Sequence, residues 1–256
     1  MQLGPPADEP SSARDLATAL DEARTRLGNR PAVTVLSPRG REEQAVASLA
    51  QWAAKGAHLL EADLLLAPGD AVRLDAPWSW PAAAVCLAAW WAGLVVEPDA
   101  GGDAEVAVLD EHVADDARAA EVLRVGDAVT GAPLGAVAGE PWTLAVQAFP
   151  DQPPRPQATP DRPAIRHHGR TWSQHEVLDL ARDLGRGTLG LATDRPAGTA
   201  TGEPDRHPAV VGLVALAVRP LVTGRPTVVL RGVARDAAHG ERVATWWPVQ
   251  RDGAPA

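Results

Sequence analysis

The chain has 256 residues, a net charge of −9 and no run of basic residues, which argues against nucleic acid and anionic membranes as its main partners because both require a cationic surface. Its single cysteine, Cys86, excludes an internal disulfide and a cysteine-rich zinc site. Its apolar stretches are shorter than the roughly 18–20 residues of a membrane span and its N-terminus is polar, so we expect a cytoplasmic protein.

The composition is that of a globular protein encoded by a GC-rich bacterial genome. Hydrophobic residues make up 45% of the chain, which is ordinary for a globular protein and allows a substantial core at this length. Isoleucine, asparagine and lysine occur once each, as Ile165, Asn29 and Lys55. Because only one lysine is present, a phosphate site would have to rely almost entirely on arginine.

Hydrophobic periodicity predicts alternating helices and strands over the first half of the chain. Helices are expected over residues 16–27, with Ser12 and Asp15 as a capping box and Gly28 as the end, over Glu42–Leu60, and over Trp80–Trp91. Strands are expected at Ala32–Leu36, Ala71–Leu74, Leu94–Val96, Glu105–Leu109 and Val122–Val125. This alternation predicts an α/β fold, a layered parallel sheet with helices on both faces (αβα).

A proline-rich stretch over residues 150–163 is predicted to be a linker inside one domain. It separates an α/β segment over residues 11–149 from a second α/β segment over residues 164–248, and we expect a disordered lead-in at 1–10 and a frayed tail at 249–256. The second segment is predicted to contain a helix over Gln174–Leu184, a loop from Thr193 to Pro208, a helix over Val210–Val218 and a strand at Thr227–Leu230.

Two stretches of the chain resemble the N-terminal portion of the adenylate-forming superfamily, the AMP-dependent acyl-CoA synthetases and ligases. The first contains Arg30-Pro31-Ala32, the turn Pro68-Gly69-Asp70 and the segment Gly93-Leu94-Val95-Val96-Glu97-Pro98. The second runs from His207-Pro208 through Leu221 to Thr227–Leu230. The resemblance covers roughly half of the chain and implies the fold of the first half of that superfamily's N-terminal domain, in a truncated relative.

The resemblance also implies a loop rich in Ser, Thr and Gly that ends in Pro-Lys-Gly and holds the triphosphate of ATP. We align this loop with Thr159–Thr171, which has two prolines, one glycine and no lysine. Later superfamily motifs and the C-terminal catalytic lysine have no counterpart in the sequence. Lys55 is expected on a helix as a solvated or snorkelling side chain. Arg162, Arg166 and Arg170 remain candidate phosphate contacts.

Several histidines are candidates for ligand or metal binding. His207 aligns with a superfamily position that lines the acyl pocket, so it is either a substrate contact or an ordinary loop histidine. His167, His168 and His175, the last with Asp179 four residues further on, suggest a metal site. Because adjacent histidines are expected to point apart, we interpret them as a surface cluster and predict no metal site.

The remaining motifs have structural interpretations. Gly185–Gly190 matches G-x-G-x-x-G but follows a helix, so it predicts a helix end and a turn instead of a dinucleotide site. Ser173 near His175 lacks a nucleophile elbow. Cys86 is expected to be buried and inert. Four tryptophans are expected in the core, namely Trp78, Trp80, Trp90 and Trp91.

These features predict a catalytically degenerate adenylate-forming-like protein with a binding or regulatory role. No catalytic residue and no cofactor are expected, the partner would be a protein or a second copy of this chain, and a small acyl ligand is compatible with the fold. The alternative is an acyl-CoA synthetase-type ligase with weak or partner-completed nucleotide and acyl binding. ATP and Mg²⁺ would be its cofactors only in that case.

Overall fold

Two β-sheets enclose a layer of helices in the structure, a computed structural model that describes residues 11–76, 78–98, 104–113, 119–126, 135, 138–185, 187–192 and 207–248. The helices are α1 Leu16–Leu27, α2 Val46–His58, α3 Trp80–Trp91, α4 Trp142–Ala145, α5 Gln174–Asp183, α6 Pro208–Leu213 and α7 Arg219–Thr223. A π-helical turn over Leu59–Asp63 extends α2. A second π-helical turn, Val214–Val218, joins α6 to α7, and we call this continuous run the 208–223 helix.

The strands form one five-stranded and one seven-stranded sheet, ordered β12-β10-β11-β1-β2 and β7-β6-β5-β3-β4-β8-β9. Their bounds are β1 Pro31–Ser37, β2 Gly40–Ala45, β3 Ala71–Asp75, β4 Val95–Glu97, β5 Ala104–Asp110, β6 Ala119–Val125, β7 Glu140–Pro141, β8 Pro163–His167, β9 Arg170–Ser173, β10 Leu189–Ala192, β11 Thr227–Leu230 and β12 Thr245–Pro248. Pairing is parallel except in the β1–β2 and β8–β9 hairpins. The predicted α/β class is therefore confirmed. Each of the two sheets is mainly parallel and contains one antiparallel hairpin.

Helix α3 lies between the sheets and contacts both β1 and β4. All its residues are buried, because they are small or apolar around the whole circumference and no face suits water. It begins and ends at the predicted residues, and Gly93 follows it with a φ of 73°. The four predicted core tryptophans, Trp78, Trp80, Trp90 and Trp91, are buried.

Two predicted boundaries in the first half are wrong. The predicted helix Glu42–Leu60 begins at Val46, because residues 40–45 form the edge strand β2 against β1. The side chains of this edge strand are mostly polar and exposed or half-buried. They show no alternation of apolar residues from which the strand could be predicted. Helix α1 is capped by Asp15, whose Oδ1 accepts a hydrogen bond from the Thr18 amide at 2.8 Å, and Ser12 is not the cap.

In the second half, the predicted helix over Gln174–Leu184 and the strand Thr227–Leu230 are confirmed. The helix predicted at Val210–Val218 is longer and ends at Gly224, whose φ is 67°. The sequence did not predict β8, β9, β10 and β12. The predicted lead-in at 1–10, the tail at 249–256 and most of the predicted loop at 193–208 lie outside the described residues.

The proline-rich segment at 150–162 has no helix or strand and packs along α3. The indole Nε1 of Trp91 donates to the Pro154 carbonyl at 2.9 Å, and the Gln157 amide donates to the Trp91 carbonyl at 2.9 Å. Strands from the two sides of this segment pair in both sheets, as β4 with β8 and β1 with β11. The role of the segment as a linker stays a prediction.

Within the described part of the chain, every helix lacks the length and apolarity that crossing a membrane requires.

Candidate functional site

Three histidines, His167, His168 and His207, lie together where β8 ends and the 208–223 helix begins. We call them the histidine cluster. One ring nitrogen of each lies within 4.8 Å of the other two. His167 is buried, His207 is half-buried and His168 is exposed, so the cluster opens to water on one side.

The β8–β9 hairpin places His167 and His168 side by side. His167 pairs with Arg170 across the hairpin, which leaves His168 and Gly169 as a two-residue turn. Both turn residues have positive φ, 46° and 76°, as a type I′ turn requires. Adjacent residues of an extended strand point to opposite faces, but this turn breaks the alternation and the two histidine rings are 4.1 Å apart. The expectation that they point apart is wrong.

His207 joins the cluster from the N-terminus of the 208–223 helix. It is the N-cap of α6, and its Nδ1 accepts a long hydrogen bond of 3.4 Å from the Ala209 amide. Pro208 occupies the first turn, where its missing N–H costs nothing. The same Nδ1 lies 2.7 Å from Nε2 of His167. His207 thus contacts another histidine, across 40 residues of sequence.

The other residues of the predicted histidine group lie apart from the cluster. Nε2 of His175 is 3.3 Å from the carboxylate of Asp179, one turn along α5. Ser173 is the N-cap of α5 and forms a capping box with Glu176. Neither Ser173 nor His175 shares a polar contact with the histidine cluster among the interactions of the described residues.

Arg166 and Arg170, the candidate phosphate contacts, have separate structural partners. Arg166 donates to the carboxylate of Glu97 at 2.6 Å, because β8 pairs with β4 at this point. Arg170 stacks over the ring of Trp172 at 4.6 Å. Neighbouring cross-strand pairs point to opposite faces of a hairpin, and the two arginines belong to neighbouring pairs. They cannot close around one phosphate from these positions.

The third candidate, Arg162, and the single lysine, Lys55, also lie away from the histidine cluster. Nζ of Lys55 donates to the Phe149 carbonyl at 2.6 Å and pairs with Asp151 at 2.9 Å, which ties α2 to the proline-rich segment. Arg162 packs beside Gly93, and its buried Nε has no hydrogen-bond partner among the described residues. The Lys55 side chain is thus half-buried, and its ammonium group bonds to the protein instead of being fully solvated.

The alignment of the phosphate loop with Thr159–Thr171 is wrong. This stretch contains β8 and the first half of β9, and its hairpin turn contains only His168 and Gly169, which leaves no space for a loop around a triphosphate. The stretch directly before the 208–223 helix includes Gly198-Thr199-Ala200-Thr201-Gly202-Glu203-Pro204, rich in Gly and Thr. It lies outside the described residues. This composition, directly before the helix that starts at Pro208, is the sequence signal that favours aligning the phosphate loop here instead of with Thr159–Thr171.

Two further predictions concern residues away from the cluster. Cys86 is fully buried, and burial raises the pKa of its thiol, as expected for an inert cysteine. Gly185 follows α5 with a φ of 79°, as a helix end does, and Gly190 lies in β10. The positions of Gly185 and Gly190 are consistent with a helix end and a turn in this motif. Arg186 lies outside the described residues.

A crevice of about 430 Å³ lies at the carboxyl ends of β1 and β11. Its lining residues are Ser37, Pro38, Arg39, Arg231 and Gly232. Desolvation raises the pKa of nearby Glu42, and the charges of Arg39 and Arg231 act in the opposite direction. Ligands of open α/β sheets bind at this end of parallel strands, and two arginines there favour an anion.

Comparison with known proteins identifies relatives of part of the sequence and of the whole fold. No family model matches the chain. A protein of Mycobacterium tuberculosis (strain ATCC 25618 / H37Rv), described as a TIGR03089 family protein, is 36% identical over 110 residues. These residues are 43% of this chain and 40% of that protein.

The structural similarity extends over almost the entire chain. The acyl-CoA synthetase of Brucella canis matches 93% of the chain with a TM-score of 0.66 and 16% identity, over 48% of its own length. The N-terminal domain of FACL13 from Mycobacterium tuberculosis matches 91% with a TM-score of 0.61 and 16% identity, over 62% of that structure. The chain thus spans about half the length of the acyl-CoA synthetase that it matches. It has the α/β fold of these acyl-CoA synthetase structures, and this confirms the fold that the sequence resemblance implied.

Proposed function

We propose that this chain binds a small carboxylic acid and does not form acyl adenylates by itself. The observation that carries the proposal is that the single lysine and the two candidate phosphate contacts, Arg166 and Arg170, lie apart and have separate partners. Lys55 bonds to Phe149 and Asp151, Arg166 pairs with Glu97, and Arg170 stacks on Trp172. Adenylation stabilises its transition state by positioning and cationic clamping, and these side chains provide no common clamp.

The crevice beside Arg39 and Arg231 is the proposed position of the acid. It lies where parallel strands end, and its volume suits a small ligand. Arginine matches the planar geometry of a carboxylate through two parallel N–H donors. An acid is therefore the ligand whose charge and shape fit these side chains.

The proposal is tested by isothermal titration of the chain with a series of aliphatic and aromatic acids, and separately with Mg·ATP. We expect binding of an acid that is weakened about tenfold or more in Arg231→Gln, since a bidentate charged contact contributes roughly 1.5–3 kcal/mol. Arg225→Gln is the matched control, because exposed Arg225 lies before the same strand, β11, whereas Arg231 lies at its other end. Acid binding that is equal in Arg231→Gln and the native chain would refute the crevice.

A second candidate function is a ligase whose nucleotide site is completed by a partner. The Gly- and Thr-rich stretch from Gly198 to Gly202 favours it, because backbone N–H groups and hydroxyls suit phosphate. Pro204-Asp205-Arg206 follows where the superfamily has Pro-Lys-Gly, so an aspartate takes the place of the lysine of that loop. Exchange of pyrophosphate into ATP in the presence of an acid would establish this function. Mg·ATP binding lost in Arg166→Ala or Arg170→Ala would contradict the non-adenylating proposal.

Self-association stays a prediction. Of the large hydrophobic side chains in the described part of the chain, Leu65 and Leu144 are exposed. Two separate side chains do not form the extended apolar patch that a stable interface contains. A mass by light scattering that stays constant on dilution and equals one chain would contradict self-association.

A further inference from the structure

We propose that the histidine cluster is a binding site for a divalent transition-metal ion, with Zn²⁺ as the first candidate. His167, His168 and His207 bring three imidazoles together, and imidazole is a ligand that suits Zn²⁺, Cu²⁺ and Ni²⁺ better than Mg²⁺ or Ca²⁺. The site rests on side chains that the proposed acid-binding function does not use. The two proposals can therefore succeed or fail separately.

A metal fits after a rotation of one ring. Nε2 of His167 lies 2.7 Å from Nδ1 and 3.4 Å from Nε2 of His207. Two ligands of a tetrahedral Zn²⁺ at about 2.0–2.1 Å are separated by about 3.3–3.4 Å, so the His207 ring would turn to direct Nε2 toward an ion that it shares with His167. The third imidazole, of His168, is exposed and has a nitrogen within 4.8 Å of both others, so a rotation about its side-chain torsions would bring it to the same ion. Three histidines with water at the fourth position is a coordination that catalytic zinc sites use.

Ring tautomers decide what metal binding changes. A neutral imidazole that ligates through Nε2 carries its proton on Nδ1. Coordination through Nε2 of His207 would therefore end the acceptor role of its Nδ1 toward the Ala209 amide and leave Nδ1–H as a donor. The loss is small, because this bond is already 3.4 Å long. His167 would exchange its contact with His207 for the metal.

The local backbone explains how the third imidazole reaches the cluster. His168 occupies a turn position with a φ of 46°, and the residue that a type I′ turn most favours in front of glycine is asparagine or aspartate. A bulky ring at positive φ is uncommon, although histidine tolerates it better than most residues. The left-handed turn is the feature that directs this imidazole toward its neighbour in sequence.

The site is tested by titrating the tag-free, EDTA-treated full chain with Co²⁺, which reports on its own coordination by visible absorption, and then displacing Co²⁺ with Zn²⁺. We expect one ion per chain and a tetrahedral or five-coordinate spectrum. His168→Asn preserves the turn, and His207→Asn preserves the helix cap. Each variant removes one imidazole, and we expect each to weaken Co²⁺ binding at least tenfold.

His175→Asn is the matched control, because His175 lies on α5 beside Asp179 and outside the cluster. It should bind Co²⁺ as the native chain does. Circular dichroism of all three variants establishes that they are folded. The proposal is overturned if the native chain gives no Co²⁺ spectrum beyond that of hydrated ion, if neither cluster variant changes the affinity, or if His175→Asn weakens binding equally.

Discussion

Arg219 carries a charge into the interior, and no carboxylate of the described residues pairs with it. The residue is fully buried, and within that part of the chain its donors reach the carbonyls of Gly185 at 3.2 Å and Pro226 at 3.4 Å. Its Nη2 is buried and has no hydrogen-bond partner in the described part of the chain. Desolvation accordingly lowers the pKa of this arginine to about 10. A base whose pKa is lowered by folding destabilises the folded state while it is charged.

Replacement of this charge by an apolar side chain of similar length should stabilise the protein. Below the lowered pKa the guanidinium is charged in both the folded and the unfolded chain, so the full desolvation penalty is present at pH 7. We expect Arg219→Met to raise the free energy of unfolding by about 1–2 kcal/mol, the low end of the range for buried charges, because two long hydrogen bonds are lost. Urea denaturation at pH 7 measures the difference.

Arg182→Met is the comparison for Arg219→Met. Arg182 pairs with Asp179 at 2.7 Å and donates to the Ala13 carbonyl at 2.6 Å, so its replacement should lower stability. A decrease of more than about 1 kcal/mol in Arg219→Met would show that its hydrogen bonds outweigh the desolvation penalty.

At the scale of elements, α2 and α3 approach closely at Gly56. A Cβ at this position would lie 2.8 Å from Cβ of Ala88 on α3 and 3.3 Å from the ring of Trp142. Both neighbours are buried and packed, so neither can move away without disturbing the core. The close approach therefore depends on the absence of a side chain near the C-terminal end of α2.

Gly56→Ala should destabilise the protein by about 1–3 kcal/mol even though alanine is the better helix former by about 1 kcal/mol. The overlap with Ala88 forces the two helices apart, and this cost exceeds the gain in propensity. Gly240→Ala serves as the control, because a Cβ at Gly240 meets no atom within 4 Å. Urea denaturation should leave the control nearly unchanged, and a stabilised Gly56→Ala would contradict the packing argument.

Elements with a continuous apolar pattern could be predicted from the sequence, and those held by pairing alone could not. Helix α3 was predicted to the residue because all its residues are apolar. Strand β2 was not predicted because its residues are mostly polar. It lies at the edge of the sheet, where hydrogen bonding to β1 holds it in a strand. The histidine cluster was missed for two reasons: His207 lies far along the chain from its neighbours, and a left-handed turn reverses the expected direction of His168.

For the whole molecule, contacts across the proline-rich segment make the two halves of the chain dependent on one another. The side chain of Gln174 accepts from the Leu16 amide at 2.8 Å and donates to the Trp90 carbonyl at 3.1 Å, joining α5 to α1 and α3. Strand β11 pairs with β1, and β8 pairs with β4. Each half thus supplies strands and helices to a core that neither contains alone.

We therefore expect a single cooperative unfolding transition with no stable half-unfolded species. Cys86, the only thiol, lies in the buried helix α3 of the first half, whereas β11 belongs to the second. Under increasing urea, the labelling of Cys86 by a thiol reagent and the hydrogen exchange of Thr227–Leu230 should give the same free energy of opening, because both require the shared core to separate. Exchange of β11 at a lower free energy, with Cys86 still protected, would mean that the second half opens on its own and that residues 150–163 separate two independent units.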